Sequence, residues 1–175
     1  MLIETDRLCL RPVTMDDLDD LVALHAEPGV ERFMGTFDRA TLAEWIALVG
    51  VDWAEYGYGR VAMIDRATRR LLGRTGLKRL PEFAETEVGW VLHPDAWGRG
   101  LATEGACACM RWGFENLTVP YLTAMIRPDN ARSIAVAERL GMTPTRRDTL
   151  LGEAVVVYLI TREAWANHGS LQVAS

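Results

Sequence analysis

The sequence predicts a mixed α+β fold, a central sheet covered by helices, on three observations. Apolar periodicity orders the elements as strand, helices, three strands, helix, strand, helix, strand. A glycine-bearing turn, Trp97-Gly98-Arg99-Gly100, separates the last strand of the central run from an alanine-rich apolar segment. No linker, repeat or low-complexity stretch interrupts the chain, and 175 residues with 49% hydrophobic content suit a single domain over residues 1–175.

Residues 7–13 alternate, with Leu8 and Leu10 on one face, and read as the first strand. Thr14 before Met15-Asp16-Asp17 has the form of a helix N-cap with acids in the first turn. That helix is expected to run to about Ala26 and to stop before Pro28, leaving Phe33, Met34 and Gly35 in a loop. Over residues 39–56, Leu42, Trp45, Ile46, Val49 and Trp53 make one helical stripe, ended by Gly57-Tyr58-Gly59. Strands follow at residues 60–64 and 71–77, and residues 85–92 complete an antiparallel meander. Residues 100–117 read as a helix and 122–126 as a strand. Asn130 caps a helix to Leu140, with Gly141 as its stop. A late strand at residues 151–160 precedes a short helix at 162–165 and a loose tail.

Composition narrows the function. A net charge of −5 argues against a general nucleic-acid binder, which needs a basic patch. Cys9, Cys107 and Cys109 show no metal-ligand spacing, so no metal is expected, and they read as small apolar residues in a reducing compartment. No apolar run approaches ~20 residues, so no membrane span is expected. The N-terminus has early acids and no signal-peptide pattern, which predicts a cytoplasmic protein. His25, His93 and His168 are scattered and suggest no dyad.

The densest information lies between Glu87 and Met142. A strand, a glycine turn and a helix N-terminus make an anion site, because unpaired N–H groups and the helix dipole face the turn. Gly98 and Gly100 let a phosphate approach the backbone with no Cβ in the way. No Walker lysine follows them, which disfavours a nucleotide-phosphate enzyme.

Four blocks carry a resemblance over nearly the whole chain. They are Glu4-Thr5-Asp6-Arg7-Leu8-Cys9-Leu10-Arg11-Pro12, the run from His93-Pro94-Asp95 through Trp97-Gly98-Arg99-Gly100-Leu101-Ala102-Thr103-Glu104, Asn130 with Ser133, and Leu140-Gly141-Met142. Together they resemble the GNAT superfamily of N-acetyltransferases, in its RimJ/RimL branch. Trp97 departs from the superfamily's Arg or Gln at the head of the pyrophosphate motif, in the style of that branch.

The resemblance implies a mostly antiparallel central sheet with helices on both faces, and acetyl-CoA as acyl donor. It places the pantetheine arm along the backbone of Trp90, Val91 and Leu92, and the pyrophosphate on Gly98, Arg99, Gly100, Leu101, Ala102 and Thr103. Asn130 is either a plain helix cap or a second contact to that arm. Many members protonate the departing thiolate with a tyrosine seven residues on, but here that slot is Ala137. Ser133 takes the role in its place, the alternative being a hydroxyl bonded back to its own turn. Glu87, or Glu85 two residues before it, is the candidate base or ammonium anchor. Arg99, Arg127, Arg132 and Arg139 supply local positive charge for the anionic donor.

The expected function is transfer of acetyl to a primary amine, of a protein or peptide N-terminus in the first instance. A small-molecule amine and a non-catalytic acyl-CoA-binding module remain open alternatives. Oligomeric state is not readable from the sequence; a homodimer is common in the branch the chain resembles, and the apolar segment around Trp165 is a candidate contributor.

Overall fold

The protein is described by a computed structural model covering residues 2–172. Its centre is an eight-stranded sheet in the order β1-β2-β3-β4-β5-β6-β8-β7. The strands are β1 (Ile3–Glu4), β2 (Leu8–Pro12), β3 (Arg60–Asp65), β4 (Leu71–Leu80), β5 (Glu85–Leu92), β6 (Tyr121–Ile126), β7 (Thr143–Leu150) and β8 (Glu153–Thr161). Every neighbouring pair is antiparallel except β5 and β6. That exception follows from connectivity, since a helix crosses over between the two strands.

Among the described residues six helices cover the two faces: α1 (Leu18–His25), α2 (Pro28–Met34), α3 (Arg39–Tyr56), α4 (Leu101–Asn116), α5 (Ala131–Arg139) and α6 (Arg162–Gln172). Residue parity on β5 sorts the layers. Val88 packs with Met110 and Phe114 of α4 and with Val136 of α5. Val91 packs with Leu21, Leu24, Leu42 and Ile46 under α1 to α3. The mostly antiparallel sheet with helices on both faces is thus the architecture present.

Several boundaries differ from expectation, each for a physical reason. The first helix opens with a 3₁₀ turn, Met15–Asp17, held by the Asp17 carboxylate accepting from the Thr14 N–H at 2.9 Å. Burial works against an ionised Asp17, but the Arg11 guanidinium at 2.6 Å and the Thr14 N–H outweigh it and hold its pKa below the usual carboxylate value. Phe33 and Met34 lie in helix α2, not in a loop. Pro28 sits at its first position, where a missing N–H costs nothing.

Strand β7 was not expected. Its exposed, charged sequence shows no apolar alternation, because it is the sheet's edge and pairs only with β8. The final helix runs further than predicted. Trp165 packs against Phe114, ring centroids 5.7 Å apart, and joins this chain's own core as a partly buried residue.

Candidate active site

Strands β5 and β6 meet at one register pair, Glu87–Thr123. Beyond it they part, and the stretch from Val88 to Leu92 finds ladder partners in β4 alone. The chain then makes one 3₁₀ turn, Pro94–Ala96, and enters α4 through the glycine turn. Gly98 and Gly100 have φ of +71° and +75°, a region that favours glycine. A Cβ on Gly98 would meet nothing within 4 Å, so this backbone faces open space.

The first bond within α4 runs from the Glu104 N–H to the Gly100 carbonyl at 3.0 Å. The N–H groups of Leu101, Ala102 and Thr103 therefore have no helical acceptor. The Thr103 hydroxyl is buried and also lacks a partner. Three N–H donors and an orphaned hydroxyl at the positive end of a sixteen-residue helix fit a phosphate group.

Arg7 and Glu104 hold this turn in place, a role the sequence reading missed. The Arg7 Nε donates to Glu104 Oε2 at 2.6 Å, and its Nη1 donates to the Arg99 carbonyl at 2.8 Å. The Thr5 hydroxyl donates to Glu104 Oε1 at 2.6 Å. Burial disfavours the Glu104 anion, but these donors prevail and its pKa falls below the usual value. The partners lie about a hundred residues apart, so no local pattern reports the pairing.

The splay, the turn and α5 enclose a cleft of about 630 Å³. Trp90, Val91, Leu92, Gly98, Gly100, Leu101, Ala102, Thr103, Asn130 and Ser133 all line it. Val30, Phe33 and Met34 of α2 close the far wall. Trp97 spans the cleft's edge, donating its indole N–H to the Leu92 carbonyl at 2.8 Å. Its ring lies so close to Gly29 that a Cβ there would sit 2.6 Å away, and the Arg132 guanidinium stacks on it at 4.4 Å.

Arg132 and Arg139 also line the cleft and give it positive charge. Arg99 does not line it; its guanidinium lies 3.9 Å from Asp65, and only its backbone belongs to the turn. Arg127 is likewise engaged, 3.3 Å from Glu153. Asn130 caps α5, its side chain accepting from the Ser133 N–H at 3.2 Å. The Ser133 hydroxyl has no hydrogen-bond partner among the described residues.

Glu87 is the correction. It lies on the α1–α3 side of β5, outside the cleft lining, and its Oε2 accepts from Arg60 Nη2 at 2.5 Å. Arg60 also donates to the Gly76 carbonyl at 2.7 Å and lies flat across β5. A Cβ on Gly89 would come within 2.6 Å of Arg60 Nη1. A carboxylate committed to a buried guanidinium is not a free base. Glu85 is similarly engaged with Arg146 at 2.9 Å. Among the described residues no group of three or more His, Cys, Asp or Glu could hold a metal ion. No described helix is long and apolar enough to cross a membrane.

Comparison with known proteins assigns this arrangement to a family. Residues 7–143 match the family model described as acetyltransferase (GNAT) domain. The uncharacterized protein YkkB of Bacillus subtilis strain 168 is 32% identical over 165 residues, 88% of this chain and 92% of its own. The uncharacterized N-acetyltransferase YnaD of the same organism is 34% identical over 144 residues, 81% of this chain and 82% of its own. Among solved structures, an acetyltransferase from Agrobacterium tumefaciens strain C58 superposes with a TM-score of 0.81 at 31% identity, covering 91% of this chain and 94% of its own. A fold built around a splayed strand pair and a glycine turn thus coincides with a family match over most of the chain, and the chain belongs to the GNAT family of acetyl-transferring enzymes.

Proposed function

We propose that this enzyme is an N-acetyltransferase of the RimJ/RimL type, taking acetyl-CoA as donor and the α-amine of a protein or peptide as acceptor. The observation that carries the reading is the cleft itself. It joins a phosphate-fitting helix terminus to an extended strand whose backbone is free on one side. In this reading the N–H groups of Leu101, Ala102 and Thr103 and the Thr103 hydroxyl hold the pyrophosphate, and β5 from Trp90 to Leu92 pairs with the pantetheine amides. Arg132 and Arg139 balance the donor's charge in a chain whose net charge is −5.

The acceptor's lone pair attacks the thioester carbonyl, so a C–N bond forms and the C–S bond breaks. The amine loses its proton to water, and the thiolate gains one from the Ser133 hydroxyl or a water that it orients. The choice of an α-amine follows from what the cleft lacks. Its described lining contains no Asp, Glu or His to deprotonate an ammonium group. An α-amine, pKa about 7.8, is roughly one-seventh neutral at pH 7, whereas a lysine amine, pKa about 10.4, is neutral less than one time in a thousand.

Two measurements test the two halves of the reading. Gly100→Val puts a branched side chain in the glycine turn, at a φ it adopts only with strain. Acetyl-CoA affinity should fall more than about tenfold, about 1.4 kcal/mol, by calorimetry, with the circular dichroism spectrum retained. Unchanged affinity removes the turn from the donor site. For the acceptor, thiol release from acetyl-CoA should be faster with a free N-terminal peptide than with its α-blocked, lysine-containing counterpart. Equal rates on the two peptides remove the α-amine assignment.

A further inference from the structure

The sheet face under α1 to α3 holds a cation that forms no ion pair among the described residues, its nearest counter-charge being the Glu87 carboxylate already bound to Arg60. Arg74 lies in β4, in register with Ala62 of β3 and Val91 of β5. Both neighbours belong to the apolar layer under these helices, so Arg74 projects into that layer. It is only 7% exposed, and its Nε is buried with no partner. Among the described residues it makes no ion pair and no hydrogen bond; its directed contact is the Trp45 ring, 4.6 Å from the guanidinium carbon. The two carboxylates on this face of β5 are already committed, Glu87 to Arg60 and Glu85 to Arg146. Arg74 is left without an ion pair of its own.

His25 is buried in the same layer, near enough to feel the Arg74 charge. It ends α1, is 2% exposed, and both its ring nitrogens are buried without partners. The Phe37 ring meets it edge-on at 4.9 Å. Burial, reinforced by the Arg74 charge, pulls the His25 pKa down to about 4, so the ring is neutral at pH 7 and has one N–H to give. Burial also draws Arg74 down to about 9, which leaves it charged at pH 7. A buried charge is ordinarily paired. A guanidinium and an imidazole, both buried and both lacking acceptors, make a donor set that fits a carboxylate, which takes a planar fork of N–H groups.

Neither Arg74 nor His25 lines the donor cleft, but the register places Arg74 next to its wall. Val91, directly across from Arg74, also lines the donor cleft, as do Val30 and Met34 of the same layer. We propose that Arg74 and His25 bind a carboxylate carried by the acceptor, so that the preferred amine has an acid group a few bonds away. The acid is either the side chain of an N-terminal Asp or Glu residue or the α-carboxylate of a free amino acid. This assignment of the acceptor rests on the amine-acetylation reading above.

The test uses product-like pairs and needs no turnover. CoA-loaded protein is titrated calorimetrically with N-acetylglutamate α-amide against N-acetylglutamine α-amide, and with N-acetylalanine against its amide. The first pair reports a side-chain acid and the second an α-carboxylate. In at least one pair the acid should bind more than about tenfold tighter, and Arg74→Met should abolish that preference while CoA affinity stays the same. His25→Phe, which keeps the ring's bulk, should weaken the preference as well, and it decides the matter if Arg74→Met does not fold. No acid preference in either pair, or a preference that survives these substitutions, overturns the proposal. The corresponding free amines are then assayed for thiol release. If none is acetylated while the acid preference in binding persists, the amine reading fails and the anion pocket stands.

Discussion

Glu87→Ala should destabilise the fold by about 3–5 kcal/mol, the cost of leaving a buried charge without its partner. The Arg60 side chain is 9% exposed and that of Glu87 12%, so water replaces little of the lost interaction. The stranded guanidinium would keep the Gly76 carbonyl as its one acceptor. Removing both charges, Arg60→Met with Glu87→Leu, should recover most of the loss, because a buried pair and an apolar pair of similar volume are close in free energy. Urea denaturation of the three proteins checks this. A Glu87→Ala midpoint equal to that of the parent would mean that the pair contributes nothing.

Ser133→Ala should lower kcat on the order of tenfold to a hundredfold, at the low end of what general acid catalysis supplies. Its hydroxyl lines the cleft without a partner, while its N–H is used by the Asn130 cap. The substitution therefore spares the helix terminus, and acetyl-CoA affinity should barely change. Serine is a weak acid, so a water held by the hydroxyl is included in the same expectation. Single-turnover assays at saturating donor separate chemistry from release, and a variant with parental turnover takes Ser133 out of the mechanism.

What the sequence disclosed and what it hid divide along one line. Elements that bury a regular stripe were legible, and α3 starts and stops at its predicted residues because Leu42, Ile46 and Val49 repeat on a helical period. The cleft residues were legible for another reason. A glycine turn between a strand and a helix is a short-range pattern, and its geometry is fixed by backbone alone.

Edge strand β7 was hidden because exposure erases the alternation that announces a strand. Helix α2 was hidden by Pro28, which reads as the stop of the preceding helix and is in fact the first residue of the next one. The Glu87–Arg60 pair joins residues on non-adjacent strands, so a carboxylate that looked available in sequence is occupied in space. The unpaired state of Arg74 is invisible to sequence for the same reason, since only the full set of neighbours reveals a missing one.

The single register pair between β5 and β6 gives this sheet a rim in its interior. Rims normally lie at the outside, where charge, bulges or short length keep stray chains from adding on. Here the unpaired stretch is sheltered at the floor of a cleft, with Trp97 across its edge and α5 above it. If the proposed donor arm, thin, extended and amide-bearing, is what pairs there, protection against aggregation and selection of a partner become the same property. Any substitution that zipped the two strands together would tidy the sheet and abolish the vacancy that makes it useful.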